Sequence, residues 1–271
     1  MNDLKFAFRQ LLKNPGFTAV AVLHFLVATC CRAAEPDAPP PLGKLYDVGG
    51  HNMHLYHRGK ATGGPAVVLE AGSGAFSVDW YLVQQEVEKF ATVCSYDRAG
   101  HAWSELGPRP RTKKQAVYDL HRLLATAGIR GPYIMVGHSL GGALSPFDKL
   151  PEPIQKLRLW AMSLPESNVT DYNSYSPEEG LLLFADRIRN EHPLGNKPLV
   201  VLARKSDEKG VMEGKESFRN LSSNSAFAVS DFPIHEIQLA QPDLVVNAIR
   251  SVLESIRTGA KIRLLNSDLH P

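Results

Sequence analysis

Cysteine is scarce in this chain. Three occur in 271 residues: Cys30 and Cys31 are adjacent, and Cys94 stands alone. So few permit neither a metal-ligand spacing nor a disulfide framework. Cys94 lies inside an apolar run and reads as a small buried hydrophobe rather than a nucleophile. An excess of one charge is missing too. Thirty basic residues stand against 28 acidic ones, a formal net charge of +2, which leaves no electrostatic footprint for nucleic acid or an acidic partner. No glycine-rich turn leads into Gly-Lys-Ser/Thr, so a phosphate loop is excluded. There is no internal repeat. The longest apolar stretch, Phe17 to Cys31, falls short of the roughly 20 residues that a spanning helix needs.

What is present is ordinary globular material, 44% hydrophobic and 21% charged, enough for one sizeable core. Ahead of it, Lys5, Arg9 and Lys13 precede the apolar run and polar residues follow from Arg32. That is the order of a signal peptide or marginal membrane anchor. Met1–Leu23 (MNDLKFAFRQLLKNPGFTAVAVL) also resembles the start of ABC-transporter permeases of the antibiotic-export type. With no further apolar spans behind it, the resemblance implies a membrane-targeting leader. The expected organisation is a leader over 1–34, a Pro-rich linker over 35–43 and one domain over 44–271, with a cap near 147–195. Such a leader implies an exported or membrane-associated protein (bacterial periplasm or inner membrane), with membrane association through residues 1–31.

From Lys44 onward, strand and helix patterns alternate. Two short runs around Gly49-Gly50 predict a hairpin. AVVLE (66–70), TVCSYD (92–97), YIMV (133–136) and KPLVVLA (197–203) read as buried strands, and 226–229 as a fifth. Helices are expected over 78–90, 112–128, 151–162, 177–189 and 241–257. Thr112 is the N-cap and Gly128 the stop of the second. This alternation argues for an α/β fold, a mostly parallel sheet with helices on both faces.

Gly137-His138-Ser139-Leu140-Gly141 places G-x-S-x-G directly behind YIMV. A serine on a tight strand-to-helix turn is held clear of the sheet, and the flanking glycines let the backbone pass without a Cβ clash. Ser139 is therefore the candidate nucleophile. The amide of Leu140, at the start of the following helix, can face developing negative charge. Leu69–Gly74 (LEAGSG) ends another buried strand in small residues. The main-chain N–H of Ser73 is the candidate second oxyanion donor.

GHSLGG, LEAGSG and YDRAGHAWS (Tyr96–Ser104) together resemble the α/β-hydrolase superfamily, nearest to bacterial hydrolases related to proline iminopeptidases and simple esterases, over roughly residues 44–257. The resemblance implies a serine nucleophile, a mobile helical cap and no cofactor. The usual local pattern is YDRAG-x-G-x-S, and Ala102 replaces its second glycine.

The base should come late in the chain, ahead of the closing helix. His235 meets this in Pro233-Ile-His-Glu-Ile-Gln-Leu, which resembles the superfamily's G-H-x-I-x-L-x-Q-P with Ile234 in place of the glycine. His138 reads as packing or pocket-lining and His101 as a pocket candidate. His51, His54, His57, His121, His192 and His270 read as surface residues. The acid should lie between Ser and His in chain order, after a strand. Asp207 fits, Glu208 could substitute, and Asp231 is a weaker choice. Trp80, Trp103 and Trp160 could line a pocket, with core packing the simpler role.

The expected reaction is hydrolysis of a small ester, amide or short peptide through an acyl-enzyme. One feature opposes it. The resembled superfamily continues past the serine with a full helix and another strand, whereas Ser145-Pro146 interrupts here and the cap pattern begins at once. Some 30 residues of core are missing by typical element lengths. That should leave a hole in the sheet beside Ser139, and the alternative is an inactive, truncated hydrolase-like protein.

Overall fold

The structure, a computed structural model, describes residues 38–60, 63–72, 74–109, 112–138, 150–162, 192–205 and 209–264. The chain divides into two units, Met1–Pro40 and Pro41–Pro271, and the elements below all belong to the second.

The hairpin forms as its turn residues dictate. β1 (Lys44–Asp47) pairs antiparallel with β2 (Asn52–Arg58). Gly49 and Gly50 between them adopt φ 112° and 100°, values that suit glycine. The Asp47 carboxylate accepts both their N–H groups at 2.8 Å. These two bonds hold the Asp47 pKa below the usual carboxylate range.

β3 (Ala66–Glu70) is the central strand. It lies parallel to β4 (Val93–Tyr96) on one side and to β5 (Tyr133–Gly137) on the other. The sheet order is β1-β2-β4-β3-β5. Alternate residues explain why β3 is apolar from Ala66 to Leu69. Val67 and Leu69 join Val83, Val87, Val246 and Ile249 on one face. Ala66 and Val68 join Met53, Leu55, Cys94 and Leu123 on the other. Each such side chain contributes about 1.5–3 kcal/mol on full burial. Cys94 is fully buried, and its thiol is pushed up to about 12 by desolvation, consistent with a packing role.

The first face is covered by α1 (Tyr81–Val87), which a 3-10 turn at Ser77–Trp80 introduces, and by a late helix described below. The second face is covered by α2 (Lys113–Thr126). Thr112 caps α2 by accepting the Gln115 N–H at 3.1 Å, and Gly128 follows at φ 73°. α3 (Glu152–Met162) is the described part of the cap region. Ile154 and Ala161 of α3 pack with Phe76, Val78 and Leu239. The helix expected over 177–189 lies outside the described residues.

β6 (Leu199–Arg204) and β7 (Ser225–Ser230) pair parallel as a separate two-stranded sheet. Between them come α4 (Lys209–Glu216) and a 3-10 turn at Ser217–Leu221, neither of which the sequence pattern announced. α5 (Ile237–Ala240) and α6 (Pro242–Thr258) close the fold. α6 has Pro at its start and Gly259 at φ 71° at its end, the positions each residue favours.

The break between the sheets is the hole expected after the serine turn. It also corrects two readings. YIMV forms a strand, but not a buried one: Tyr133 is 38% and Met135 54% exposed. Among the described residues β5 pairs only with β3, so one edge and part of one face lack cover. β6 is likewise only half-buried. The helix and strand that should flank these edges in a continuous doubly covered sheet have no counterpart among the described residues. No described helix is long and apolar enough to cross a membrane.

Candidate functional site

In open parallel sheets, ligands bind beyond the carboxyl ends of the strands where the strand order reverses. Here that point lies beyond β3, between β4 and β5. Four of the expected site residues, Ser73, Ser139, Leu140 and Asp207, lie outside the described residues. The described structure therefore gives their immediate neighbours and places His235.

His235 comes to the carboxyl end of β5. His138, which directly precedes Ser139, donates its Nε2–H to the His235 carbonyl at 2.9 Å. The two rings sit 4.7 Å apart between centroids, inclined at 58°. The main-chain N–H of His138 donates to the Glu70 carbonyl at 3.2 Å, which fastens this end of β5 to β3. The bond from Nε2 leaves Nδ1 of His138 without its proton. That atom and His235 Nε2 are both buried without a hydrogen-bond partner among the described residues. An unsatisfied buried polar atom costs about 1–3 kcal/mol, and two of them lie together at this strand end. Burial pushes the His138 pKa down, opposed by its bond to the His235 carbonyl, so its neutral form is favoured.

The end of β3 is held by Arg98. Its guanidinium donates to Glu70 at 2.6 Å, to the Gly72 carbonyl at 2.5 Å and to the Ala71 carbonyl. Tyr96 Oη also donates to Glu70. Arg98 thus fixes the two residues that lead into Ser73. Glu236, beside His235, is buried as well. The sequence reading missed both Arg98 and Glu236. Their burial was the available signal, and it cannot be seen in a one-dimensional pattern. Asp231, the weaker acid candidate, exchanges two hydrogen bonds with the Gln241 amide and is exposed. Glu208 lies outside the described residues.

Two of the remaining histidine readings need correction. His54 and His51 are buried, not on the surface. His54 Nδ1 donates to Asp97 at 2.8 Å while its Nε2 accepts the Gly43 N–H at 3.0 Å. The Ser104 hydroxyl accepts the His54 main-chain N–H and donates to the Asp97 carbonyl. This Ser-His-Asp grouping is structural, because neither ring nitrogen is left to activate a hydroxyl. His51 faces Asp119 at 3.7 Å. Their polarity suggested a solvated strand, but the hairpin folds that face onto Asp97 and α2. His101 is buried and tilts against Phe76. Trp103 stacks between His54 and Trp160, at 4.8 and 5.0 Å, the core role expected of it. No metal-binding cluster occurs among the described residues.

No protein-family model matches the chain. Among curated relatives, a probable transporter from Hormonema carpetanum is 36% identical over 102 residues, 36% of this chain but only 15% of that protein. The Bacillus subtilis protein YqjL is 28% identical over 240 residues, 77% of this chain and 91% of its own length. An AB hydrolase superfamily protein from Gibberella zeae is 32% identical over 96 residues, 34% of this chain and 30% of that protein. Among solved structures, the enol-lactonase from Burkholderia xenovorans LB400 superposes with a TM-score of 0.60 at 15% identity, covering 78% of this chain and all of that one. A thermophilic esterase from Thermogutta terrifontis gives 0.58 at 19%, covering 77% and 95%. The sheet order, the covered central strand and these superpositions agree: the chain is built on the α/β-hydrolase fold.

Proposed function

We propose that the protein is a serine hydrolase that cleaves a small ester, amide or short peptide. Ser139 attacks the carbonyl, and His235 takes its proton and returns it to the leaving group. Asp207 orients His235, and the amides of Ser73 and Leu140 receive the oxyanion. One observation carries this reading: His235 is delivered from the far end of the chain onto His138, the neighbour of Ser139, with a buried ring nitrogen that has no described partner. The enol-lactonase and esterase neighbours favour carbonyl substrates of this size. Residues 1–34 would act as a leader that carries the domain out of the cytoplasm.

The test is labelling with a fluorophosphonate, which reacts only with an activated serine. The folded wild type should label. Ser139→Ala should not, and His235→Ala should label at least about 100-fold more slowly. A membrane-impermeant version should label intact cells if the leader exports the domain. The break in the sheet beside β5 favours a second reading, an inactive hydrolase-like protein. Folded wild type that fails to label would establish that reading and overturn the first.

A further inference from the structure

Between β5 and β6 lies a cavity of about 1120 Å³. Its walls are strand edges. Among the described residues β5 pairs only with β3 and β6 only with β7, so each turns an unpaired ladder of N–H and C=O groups toward the other across the cavity. The strands run in the same sense. At their carboxyl ends, His138 bonds to His235 and Arg204 to Pro233, neighbours on one segment. At their amino ends, Pro132 and Pro198 both line the cavity. The floor is apolar, made by Trp80 and by Val245, Ile249 and Val252 of α6.

We propose that this slot binds an extended, mainly aliphatic polypeptide segment of about six residues with a carboxylate at one end, supplied by another chain and inserted as a strand between β5 and β6. Three observations choose this occupant. Only a polypeptide backbone satisfies two facing ladders at once, as in strand addition elsewhere. The volume fits. One residue of a sheet occupies about 3.3 Å along the strand, about 4.8 Å across the ladder and about 10 Å through the layer, so six require about 950 Å³. The charges also fit. Lys197, Arg204 and Lys215 are the lysines and arginines of the described lining, which contains no Asp or Glu. Lys215 Nζ is buried without a hydrogen-bond partner. Burial and the nearby Arg204 both push its pKa down, a cost that a carboxylate placed there would relieve. A second copy of this chain fits poorly, because its described strands are tied into sheets and the slot admits a single strand. The alignment to YqjL extends over 240 residues while taking in 77% of this 271-residue chain. Roughly thirty aligned positions of that relative therefore have no counterpart here, about what a helix, a strand and their turns require.

The probe is a fluorescein-labelled peptide, Thr-Val-Val-Leu-Val-Val-Glu, added to the full-length chain. Its binding is followed by anisotropy, and backbone protection by hydrogen exchange. We expect saturable binding, with exchange slowed about tenfold or more in both Tyr133–Gly137 and Leu199–Arg204. N-methylation of alternate peptide amides should weaken binding at least about tenfold while leaving its apolar surface intact. Replacing the peptide Glu with Gln should weaken binding of the wild type but not of the Lys215→Gln variant. No binding at about 1 mM peptide, binding that protects neither strand, or equal binding of the N-methylated peptide would each overturn the proposal. Protection of both strands by palmitate alone would assign the slot to an acyl chain. Protection that grows with protein concentration, without peptide, would assign it to a second copy. None of these readings depends on hydrolase activity.

Discussion

The backbone at Ala102 has a φ of 43°, inside the left-handed region that a side chain enters at a cost of about 1–2 kcal/mol. Its neighbours allow no escape. His101 and Ser104 on either side are buried, and the Ser104 N–H is bonded to the His101 carbonyl at 2.8 Å. Glycine would remove the strain but loosen the unfolded chain by about 0.4–1 kcal/mol. Ala102→Gly should therefore stabilise the fold by a net 0.5–1 kcal/mol or so, read from the midpoint of urea unfolding. A midpoint that falls would mean that the turn relaxes without cost around alanine. At the same scale, His54 shows how little a residue type says by itself. It lies between Met53 and Leu55 on an alternating strand, yet it is fully buried because Asp97 and the Gly43 N–H satisfy both ring nitrogens.

Between elements, Arg98 joins the end of β4 to the end of β3. Its planar fork reaches the Glu70 carboxylate and two successive carbonyls, a geometry that lysine cannot reproduce. Arg98→Met keeps the length and apolar stem but leaves the Ala71 and Gly72 carbonyls without this donor and the partly buried Glu70 carboxylate without its counter-ion, though still held by the Tyr96 hydroxyl. The expected loss is about 2–4 kcal/mol. If the labelling reaction proposed for Ser139 operates, its rate should also fall, since the residues leading to Ser73 lose their anchor. Unchanged stability and labelling would show that the loop holds itself. β5 shows the opposite situation, an element correct in its strand pattern but, among the described residues, without a neighbour at the edge away from β3. The exposure of Met135 follows from that missing neighbour, not from the composition of the strand.

The whole molecule should respond to acid through His138. Its pKa is lowered in the fold, chiefly by burial, while the unfolded chain titrates near the ordinary value of about 6.5. The unfolded state therefore binds more protons just below that value. The contribution of neutral His138 is complete above about pH 6.5 and is lost as the pH falls through the folded-state pKa. Unfolding free energy should decline as the pH falls below about 6.5, and His138→Gln should flatten that decline. An equal slope in the variant would place the acid sensitivity elsewhere.

The sequence by itself determined much of the order of elements, though not α4 or the 3-10 turn after it, because period-2 and period-3.6 patterns, a capping threonine and turn glycines act locally. Hairpin, central strand, α2 with its Thr112 cap and the closing helix all follow from neighbours a few residues apart. The missing core segment was also legible, since it is a matter of spacing along the chain, whereas Ser139 and the rest of its turn lie outside the described residues. Tertiary structure decided what depends on partners distant in sequence. It put His235 against His138 across 97 residues, tied Arg98 to the end of β3, buried His54 and split the sheet into two. Those outcomes depend on which surfaces meet and which are left without cover, and a one-dimensional pattern carries no term for an absent neighbour.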